Sequence, residues 1–564
     1  MVWLHVYDPL GSPLLSTLVA MLPLVVLLGL LAAAGWSAQW AAVAGLATAF
    51  VIAVGIVGMP ADAAIAAALY GAAFGLFPIG WIILGAMFLY SLSVEAGSLE
   101  IIKRSVIRLS PDHRVQALLI AFSFGAFLEG AAGFGAPVAI SAALLTGAGF
   151  PPLEAACLSL MANTAPVAFG ALGTPIITLA KVTGLDEQAI SAMAGRQLPF
   201  FSLIVPAWMV CTMAGWRGLM GVWPAVLVCG ASFAIVQAWM ANAVGPALVD
   251  VVGGVASLVI LAVFLRRWQP QTVWRFGESP SQSRTSIPTP DEHDSVQAVA
   301  WAWMPWVFLS AAVFLWGLPP VKAVLEGRSA VASTQSPFFT QRFVAAEFSV
   351  PRLDGRVAKV PPATAGPLEV EPAIYRLNWL SAAGTAIFLA GMIAVPWLRI
   401  SWRRAGAIWC ANLVRLTASL VTIAAMLALA FVTRYSGTDV TLGLAMTHSG
   451  AMYPFFAAIL GWLGVALTGS DTSSNAMFGS LQRVTAEQLG LNPLLICTAN
   501  STGGVMGKMI DAQSIVVSAT ATGSVRQEGA ILRRVFPHSL GLAALLGLLV
   551  WLQSGPLAWM VPQP

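Results

Sequence analysis

The sequence predicts an all-α polytopic membrane protein of about twelve transmembrane helices, with two re-entrant hairpins in an inverted repeat. Three observations lead there. Hydrophobic residues make up 58% of the 564 and charged residues 9%, with a mean hydropathy of +0.83, whereas soluble globular domains carry about 25% charged residues. The charges are also segregated. Stretches 268–300 and 319–377 hold 6 and 12 of the 52, leaving 34 for the other 472 residues, too few for a water-exposed surface. Finally, two apolar regions are interrupted midway by glycines or hydroxyls, and a similar Asn-led motif follows each.

A spanning helix needs about 20 mostly apolar residues. Runs of that kind cover 14–34, 37–58, 78–98, 153–180, 199–215, 221–241, 247–266, 301–318, 380–398, 406–434, 490–519 and 536–553. Segment 61–77 is Ala-rich and short, fitting either a thirteenth span or an interfacial helix, so the side of the N-terminus stays open. Met1–Ser12 carries no Lys or Arg before the apolar run, unlike the charged start of a signal peptide, so the first helix is expected to remain.

Basic clusters favour the cytoplasm. That rule assigns Lys103, Arg104, Arg108 and Arg114 inside, together with Arg266, Arg267 and Arg275, then Arg399, Arg403 and Arg404, and finally Arg526, Arg533 and Arg534. The loop 319–377 then falls outside, and long loops translocate regardless of their charge. The Ser/Pro-rich 267–300 reads as a cytoplasmic linker between an N-terminal membrane half, 1–266, and a C-terminal half, 301–564.

Two regions do not fit as simple spans. Residues 116–145 carry Glu129 in a Gly/Pro-rich break, and 452–481 are broken by six polar residues, Ser470 to Asn475. If each crossed fully, the basic-loop topology would fail by one crossing; if each enters and returns, every basic cluster lands inside. Irregular backbone at membrane depth is tolerated where protein or a water-filled cavity satisfies it, so the two tips mark a cavity. Each hairpin is followed by a broken helix, 153–180 or 490–519. These contain Asn163 to Gly170 and Asn500 to Gly507, equally spaced and 337 residues apart. The topology runs the two units in opposite directions, and inverted repeats with interrupted helices point to a secondary transporter's binding site.

Glu129 lies in FLEGAAGFGAPVA. One reading is a buried structural acid bonded to backbone amides. The other is a proton carrier, because intramembrane acids are costly and low dielectric favours the neutral carboxyl. Gly130, Gly133 and Gly135 allow a sharp turn and close approach of amides to a ligand. Their spacing is not that of a dinucleotide-binding loop. Ser470, Asp471, Thr472, Ser473, Ser474 and Asn475 suit helix capping, and a half-helix N-terminus also directs free N–H groups at an anion. Asn163, Thr164, Asn475, Asn500 and Ser501 are expected to line one central site, with Thr502 beside them. Lys508 follows Gly507, but the spacing from Gly503 is short for a phosphate loop and Met509 stands where Ser or Thr is required, so ATP binding is rejected. Lys508 is left to pair with Asp471, Asp511 or Glu129, or to meet a substrate carboxylate.

Several classes drop out. Net charge is +4 with the basic residues in short loops, which argues against nucleic acid as a partner. Cys157, Cys211, Cys229, Cys410 and Cys497 lie in apolar segments without metal spacing, so neither metal nor cofactor is expected. The 21 tryptophans, among them Trp36, Trp40, Trp81, Trp216, Trp223, Trp268 and Trp402, fall near span ends, as an interfacial belt against membrane lipids predicts. His448 and His538 read as structural. A membrane enzyme would need clustered acids, and no two acids stand close in sequence within a membrane segment.

The segments LEGAAGFGAPVAI (128–140), NTAPVAFGALGTP (163–175), GRQLPF (195–200), GWRG (215–218), RRWQP (266–270), GWLGVALTGSDTSSNA (461–476) and NSTGGVMGKMI (500–510) resemble the bacterial L-lactate permease family. The resemblance extends over nearly the whole chain and is weakest in 270–300 and 325–375. It implies proton-coupled uptake of L-lactate and related 2-hydroxy monocarboxylates (D-lactate, glycolate) across the bacterial inner membrane. It also implies the paired hairpins of the wider ion-transporter superfamily; Glu129 and Asp471, the two acids at the hairpin breaks, are the proton-coupling candidates on the residues themselves. A sodium-coupled carboxylate carrier on the same scaffold is the alternative, and a homodimer is compatible with the sequence. One departure stands out: Asp511-Ala512-Gln513-Ser514 occupies the place of the family's Ser-Pro-Gln-Ser, which removes a fixed break and adds an acid next to Lys508.

Overall fold

The structure is a computed structural model that describes every residue except 1, 33–35, 108, 132, 134–135, 278–294, 318, 327–345, 363–367, 525–526 and 563–564. The chain is a multi-pass helical membrane protein. Among the described residues, eight helices are long and apolar enough to cross a bilayer, or nine if the bent pair Pro152–Ala162 and Val167–Thr183 counts as one.

The longest run, Glu187–Ala243, is two antiparallel helices. Gly215 breaks it at φ 67°, Ser202 donates to Gln237 Oε1 at 2.6 Å, and Gly230 packs on the Leu203 carbonyl. In contrast, Ala61–Glu95 is one long element. Despite a kink at Phe77, its Gly71, Gly75, Gly80 and Met87 meet Leu427, Ala424, Leu420 and Asn412 in steady succession along Trp402–Ser436. Residues 61–77 therefore run on beside the same partner as the 78–98 helix, and that partner, the 35-residue Trp402–Ser436, reaches about 52 Å at ~1.5 Å per residue.

Helix ends gather on two faces. One carries the basic clusters. There Arg114 binds Asp112 at 2.6 Å and the carbonyls of Gly218 and Thr272, Arg404 meets Glu95 at 2.8 Å, and Arg534 meets Glu154 at 2.7 Å. Residues just after Arg267 are pinned here too, Trp274 N donating to Asp112 and Phe276 N to His113. The rest of the linker, 278–294, lies outside the described residues.

The opposite face carries a small β-clasp. Strand Trp3–Leu4 pairs in parallel with Val357–Lys359, which pairs antiparallel with Glu369–Val370. The N-terminus therefore stands on the face of the 346–377 loop. His5 lies beneath the clasp with Nε2 3.1 Å from the Tyr435 carbonyl, and Glu371 bridges Lys359 (2.5 Å) and Arg434 (3.1 Å).

Burial holds the His5 imidazole down at about 4, with Glu371 opposing and Lys359 reinforcing. Burial also disfavours charge on Glu371, but Arg434 and Lys359 outweigh it and keep the carboxyl below its usual range. A histidine that titrates lower when folded destabilises the fold as pH falls from about 6.5 toward 4, and a depressed carboxylate acts in the same direction. Acidification over that window should loosen the clasp. Amide exchange at 3–5 and 357–359, corrected for intrinsic rate, should rise in the wild type, and His5→Phe should flatten its pH dependence. An unchanged slope in that variant would remove His5 from the account.

Candidate functional site

Two helix pairs bring their tips into the middle of the bundle. In the first, the chain runs from His113 on the basic face through Gly125–Ala131, turns, and returns along Ala136–Gly147. In the second, Tyr453–Thr468 descends from the clasp face and Asp471–Gln488 returns to it, where Gln488 donates to the Pro362 carbonyl. The second turn is built by local chemistry. Gly469 ends one helix at φ 72°, and the Ser470 hydroxyl accepts from Ser473 N to begin the next, a left-handed C-terminal glycine followed by an N-cap.

Around the second tip the predicted residues form one hydrogen-bonded cluster. Ser501 donates to Asp471 Oδ2 at 2.6 Å and Asn475 to the same oxygen at 3.4 Å. Asn500 donates to Asn475 Oδ1 at 2.9 Å and to Ser474 at 3.5 Å, and its own oxygen accepts from Gln482. Asn475 also reaches across to the Pro175 carbonyl on the first broken helix, at 3.2 Å. Thr472 and Ser473 are buried in the same turn. Lys508 donates to the Gly469 carbonyl at 2.6 Å and pairs with Asp511 at 3.1 Å. Of the partners the sequence left open, Asp511 is the one in contact.

The first tip is organised differently. Glu129 packs on Gly170, where an added Cβ would stand 2.7 Å from Oε1, and has Asn163, Lys508 and Asp511 within electrostatic reach. Ala171, Leu172 and Gly173 follow in succession at φ 43°, 59° and 76°. The left-handed region costs about 1–2 kcal/mol for each non-glycine residue, so the break facing Glu129 holds strained backbone. Gly133, at φ 55°, packs on Ala171. Gly135 lies outside the described residues.

Two predicted residues turn away from this centre. Thr164 bonds back to the Leu160 carbonyl at 3.4 Å, and Thr502 points to Gln197 at 2.7 Å, which continues to Gln553. The two Asn-led motifs also differ in form. Asn163 ends a helix at a 65° bend, whereas Asn500 to Gly507 remain α-helical and the interruption comes at Lys508–Asp511. The reason is packing: Gly503 sits on the Ala458 carbonyl, Gly461 on that of Asn500, and Gly507 on that of Trp462. The glycines admit a neighbouring helix rather than break their own.

Sequence reasoning missed Asp250. It lies in the first turn of Val249–Leu265, and Gly130 packs directly on it. Two acids from different membrane segments, Glu129 and Asp250, thus fall within electrostatic reach of each other. A cue was present in an acid just after Gly245-Pro246 at the head of an apolar span.

The centre is closed. Glu129, Asn163, Asp471, Asn500, Ser501 and Lys508 are each at most 6% exposed. Glu129 Oε2, both amide atoms of Asn163 and Asp471 Oδ1 have no hydrogen-bond partner among the described residues. Donors, one cation and acids held out of water suit a small polar anion bound with a proton or cation. Among the described residues no group of three His, Cys, Asp or Glu could hold a metal.

A family model described as "L-lactate permease" matches residues 16–555. The L-lactate permease of Salmonella typhimurium is 44% identical over 99% of this chain and 100% of its own length. The glycolate permease GlcA of Escherichia coli is 44% identical over 98% of each chain, and the L-lactate permease of Bacillus subtilis 43% identical over 100% of each. A solved structure, the Alcanivorax borkumensis YdaH transporter, overlaps 92% of this chain and 90% of its own at 15% identity and a TM-score of 0.44.

The glycine interlock yields a stability test. Gly503→Ala would drive a methyl into the Ala458 carbonyl, and overpacking of this kind costs about 1–3 kcal/mol or more. The melting temperature in detergent should fall, whereas Gly529→Ala, where an added Cβ meets nothing, should leave it near wild type. Equal melting temperatures for both would mean that the helix contact is looser than described.

Proposed function

The chain belongs to the L-lactate permease family, and from that premise we propose that it carries L-lactate and related 2-hydroxy monocarboxylates, D-lactate and glycolate, inward with protons across the bacterial inner membrane. As a member of this family the chain is a transporter rather than an enzyme. The observation that carries the substrate reading is its equal 44% identity to a lactate and to a glycolate permease over nearly complete chains. Both ligands share a carboxylate and an adjacent hydroxyl, which match the ammonium of Lys508 and the amides of Asn475 and Asn500.

In this reading twelve elements cross the membrane and the two helix pairs are re-entrant, one from each side, forming an inverted repeat. The basic face is cytoplasmic and the clasp face external. The closed centre is an occluded state, opened to either side in turn.

Coupling follows from charge. Carrying a carboxylate inward against the membrane potential costs about 2.3 kcal/mol per 100 mV, and one proton cancels that charge. Glu129 is the leading carrier, because it is buried beside strained backbone with one oxygen unpartnered among the described residues. Asp471 is the alternative, although Ser501 and Asn475 already hold one of its oxygens. Sodium coupling remains the rival on the same scaffold.

Glu129→Gln imitates the protonated acid. In proteoliposomes it should retain lactate counterflow and lose accumulation driven by a pH gradient; continued accumulation would pass the role to Asp471, for which Asp471→Asn should show the same split. A sodium gradient that drives wild-type accumulation without a pH gradient would favour the rival.

A buried donor to a charged ligand contributes about 1.5–3 kcal/mol. Asn500→Ala and Asn163→Ala should therefore each weaken lactate binding roughly 10–100-fold. Lys508→Met, which keeps the bulk and removes the charge, should abolish uptake. Titration calorimetry on folded protein checks the asparagines, and wild-type affinity in either variant removes that residue from the site.

A further inference from the structure

Asp250 has no part in the mechanism above, yet its surroundings are unusual for an acid. It is fully buried, and neither carboxylate oxygen has a hydrogen-bond partner among the described residues. Its helix, Val249–Leu265, begins after the turn that follows Gly245, and Pro246 in that turn packs on Gly173 at the strained break. Two contacts thus bear on this stretch of the chain. Gly170 touches the Glu129 carboxylate, and Gly130, the residue after Glu129, would place a Cβ 2.7 Å from Asp250 Cβ.

Charge accounting makes the arrangement informative. The charged neighbour acting on Asp250 is Glu129; Glu129 in turn is reached by Lys508 and Asp511 from the second broken helix and by the Asn163 amide from the first. Lys508 is already engaged by Gly469 and Asp511. The N-terminus of Val249–Leu265 offers about half a positive charge. That offsets part of one carboxylate and not two. Like charges held together in a medium of low dielectric do not both ionise.

We propose that Glu129 and Asp250 act as a carboxyl pair carrying one exchangeable proton, so that the pair rather than Glu129 alone is the coupling unit. Loading adds a proton from water to the Glu129 carboxylate beside the Asp250 charge, and release returns it to water on the other side. Asp250 acts through Glu129 and is a positioning residue. Its charge makes the doubly ionised state unfavourable, which obliges the site to hold a proton before it closes. The proposal rests on the reading of Glu129 as proton carrier and adds the partner that sets the pH at which it loads.

The test uses the full chain in proteoliposomes, with lactate counterflow measured across pH and accumulation measured under an imposed pH gradient. Asp250→Asn should retain counterflow at acid pH, move its pH profile toward acid by about one unit or more, and accumulate lactate at least tenfold less at neutral pH. Asp250→Glu should restore coupling. A wild-type profile and wild-type accumulation in Asp250→Asn would overturn the pair. If Glu129→Gln uncouples transport while Asp250→Asn does not, the pair alone fails; if Glu129→Gln remains coupled, the carrier reading fails as well. Accumulation in the wild type that follows an imposed sodium gradient instead of a pH gradient would overturn the proton assignment. Infrared spectroscopy of the wild type needs no variant. A band from a protonated carboxyl should be present at neutral pH and disappear on alkalinisation, and its absence would sink the proposal.

Discussion

The Lys508 ammonium, held by the Gly469 carbonyl and Asp511, is the contact on which the central architecture depends. A charge buried away from water survives when paired and hydrogen-bonded, and these two partners come from different elements, the tip of the second helix pair and the break after Asn500 to Gly507. The Gly469 carbonyl lies at the C-terminal end of a helix, where the backbone dipole is negative and a cation is favoured. One side chain thereby fixes the position of the tip relative to the break. The Asp471–Ser501 and Asn475–Asn500 bonds follow from that register, and the bare glycine faces of 461, 503 and 507 are what let the two helices come close enough for it.

The two halves solve the same problem in different ways. In the second half most polar groups at the tip find a neighbour, Asp471 Oδ1 being an exception, and its helix stays regular through Gly507. In the first half the backbone is bent by 65° and three residues in succession are left-handed, and Glu129, Asn163 and Asp250 keep unpartnered atoms among the described residues. A largely bonded cluster suits recognition of a ligand that must fit one geometry. An under-satisfied, strained one suits a group that changes protonation and partner during a cycle. The division of labour in the proposed mechanism, anion at the second tip and proton at the first, follows that contrast.

Much of this was legible in the sequence because the membrane leaves so few options. Apolar runs and scarce charge predicted a multi-pass helical protein, and the structure describes one with eight helices long enough to cross among the described residues; Asp471, Asn475, Asn500 and Ser501 do meet. The failures share a cause. Whether 61–77 extended its neighbour or stood apart depended on packing along Trp402–Ser436, which no local pattern encodes. Asn500 to Gly507 looked like a break because glycine serves both a turn and a close helix contact, and tertiary neighbours decide between them. Asp250 was passed over because its partner is 121 positions away in the chain.

The β-clasp places a further constraint on how such a protein moves. Strand Trp3–Leu4 joins the start of the chain to Val357–Lys359, and Glu371 joins the same loop to Arg434 at the end of a 35-residue helix. The elements so tied, the first helices and the rods Ala61–Glu95 and Trp402–Ser436, share a hydrophobic cluster that also takes in Val182 of the first broken helix and Ala476, Met477 and Phe478 beside the second tip. The larger cluster holds most of the broken helices and the first tip, and it reaches into both rods through Phe88, Leu92, Ala405 and Ile408. An alternating-access cycle needs one body held still while another moves against it. In the proposed cycle the clasp would hold the first helices and the rods together, and any motion of the tips against them would have to loosen the packing of Val182 and Ala476 to Phe478 in the rods' cluster.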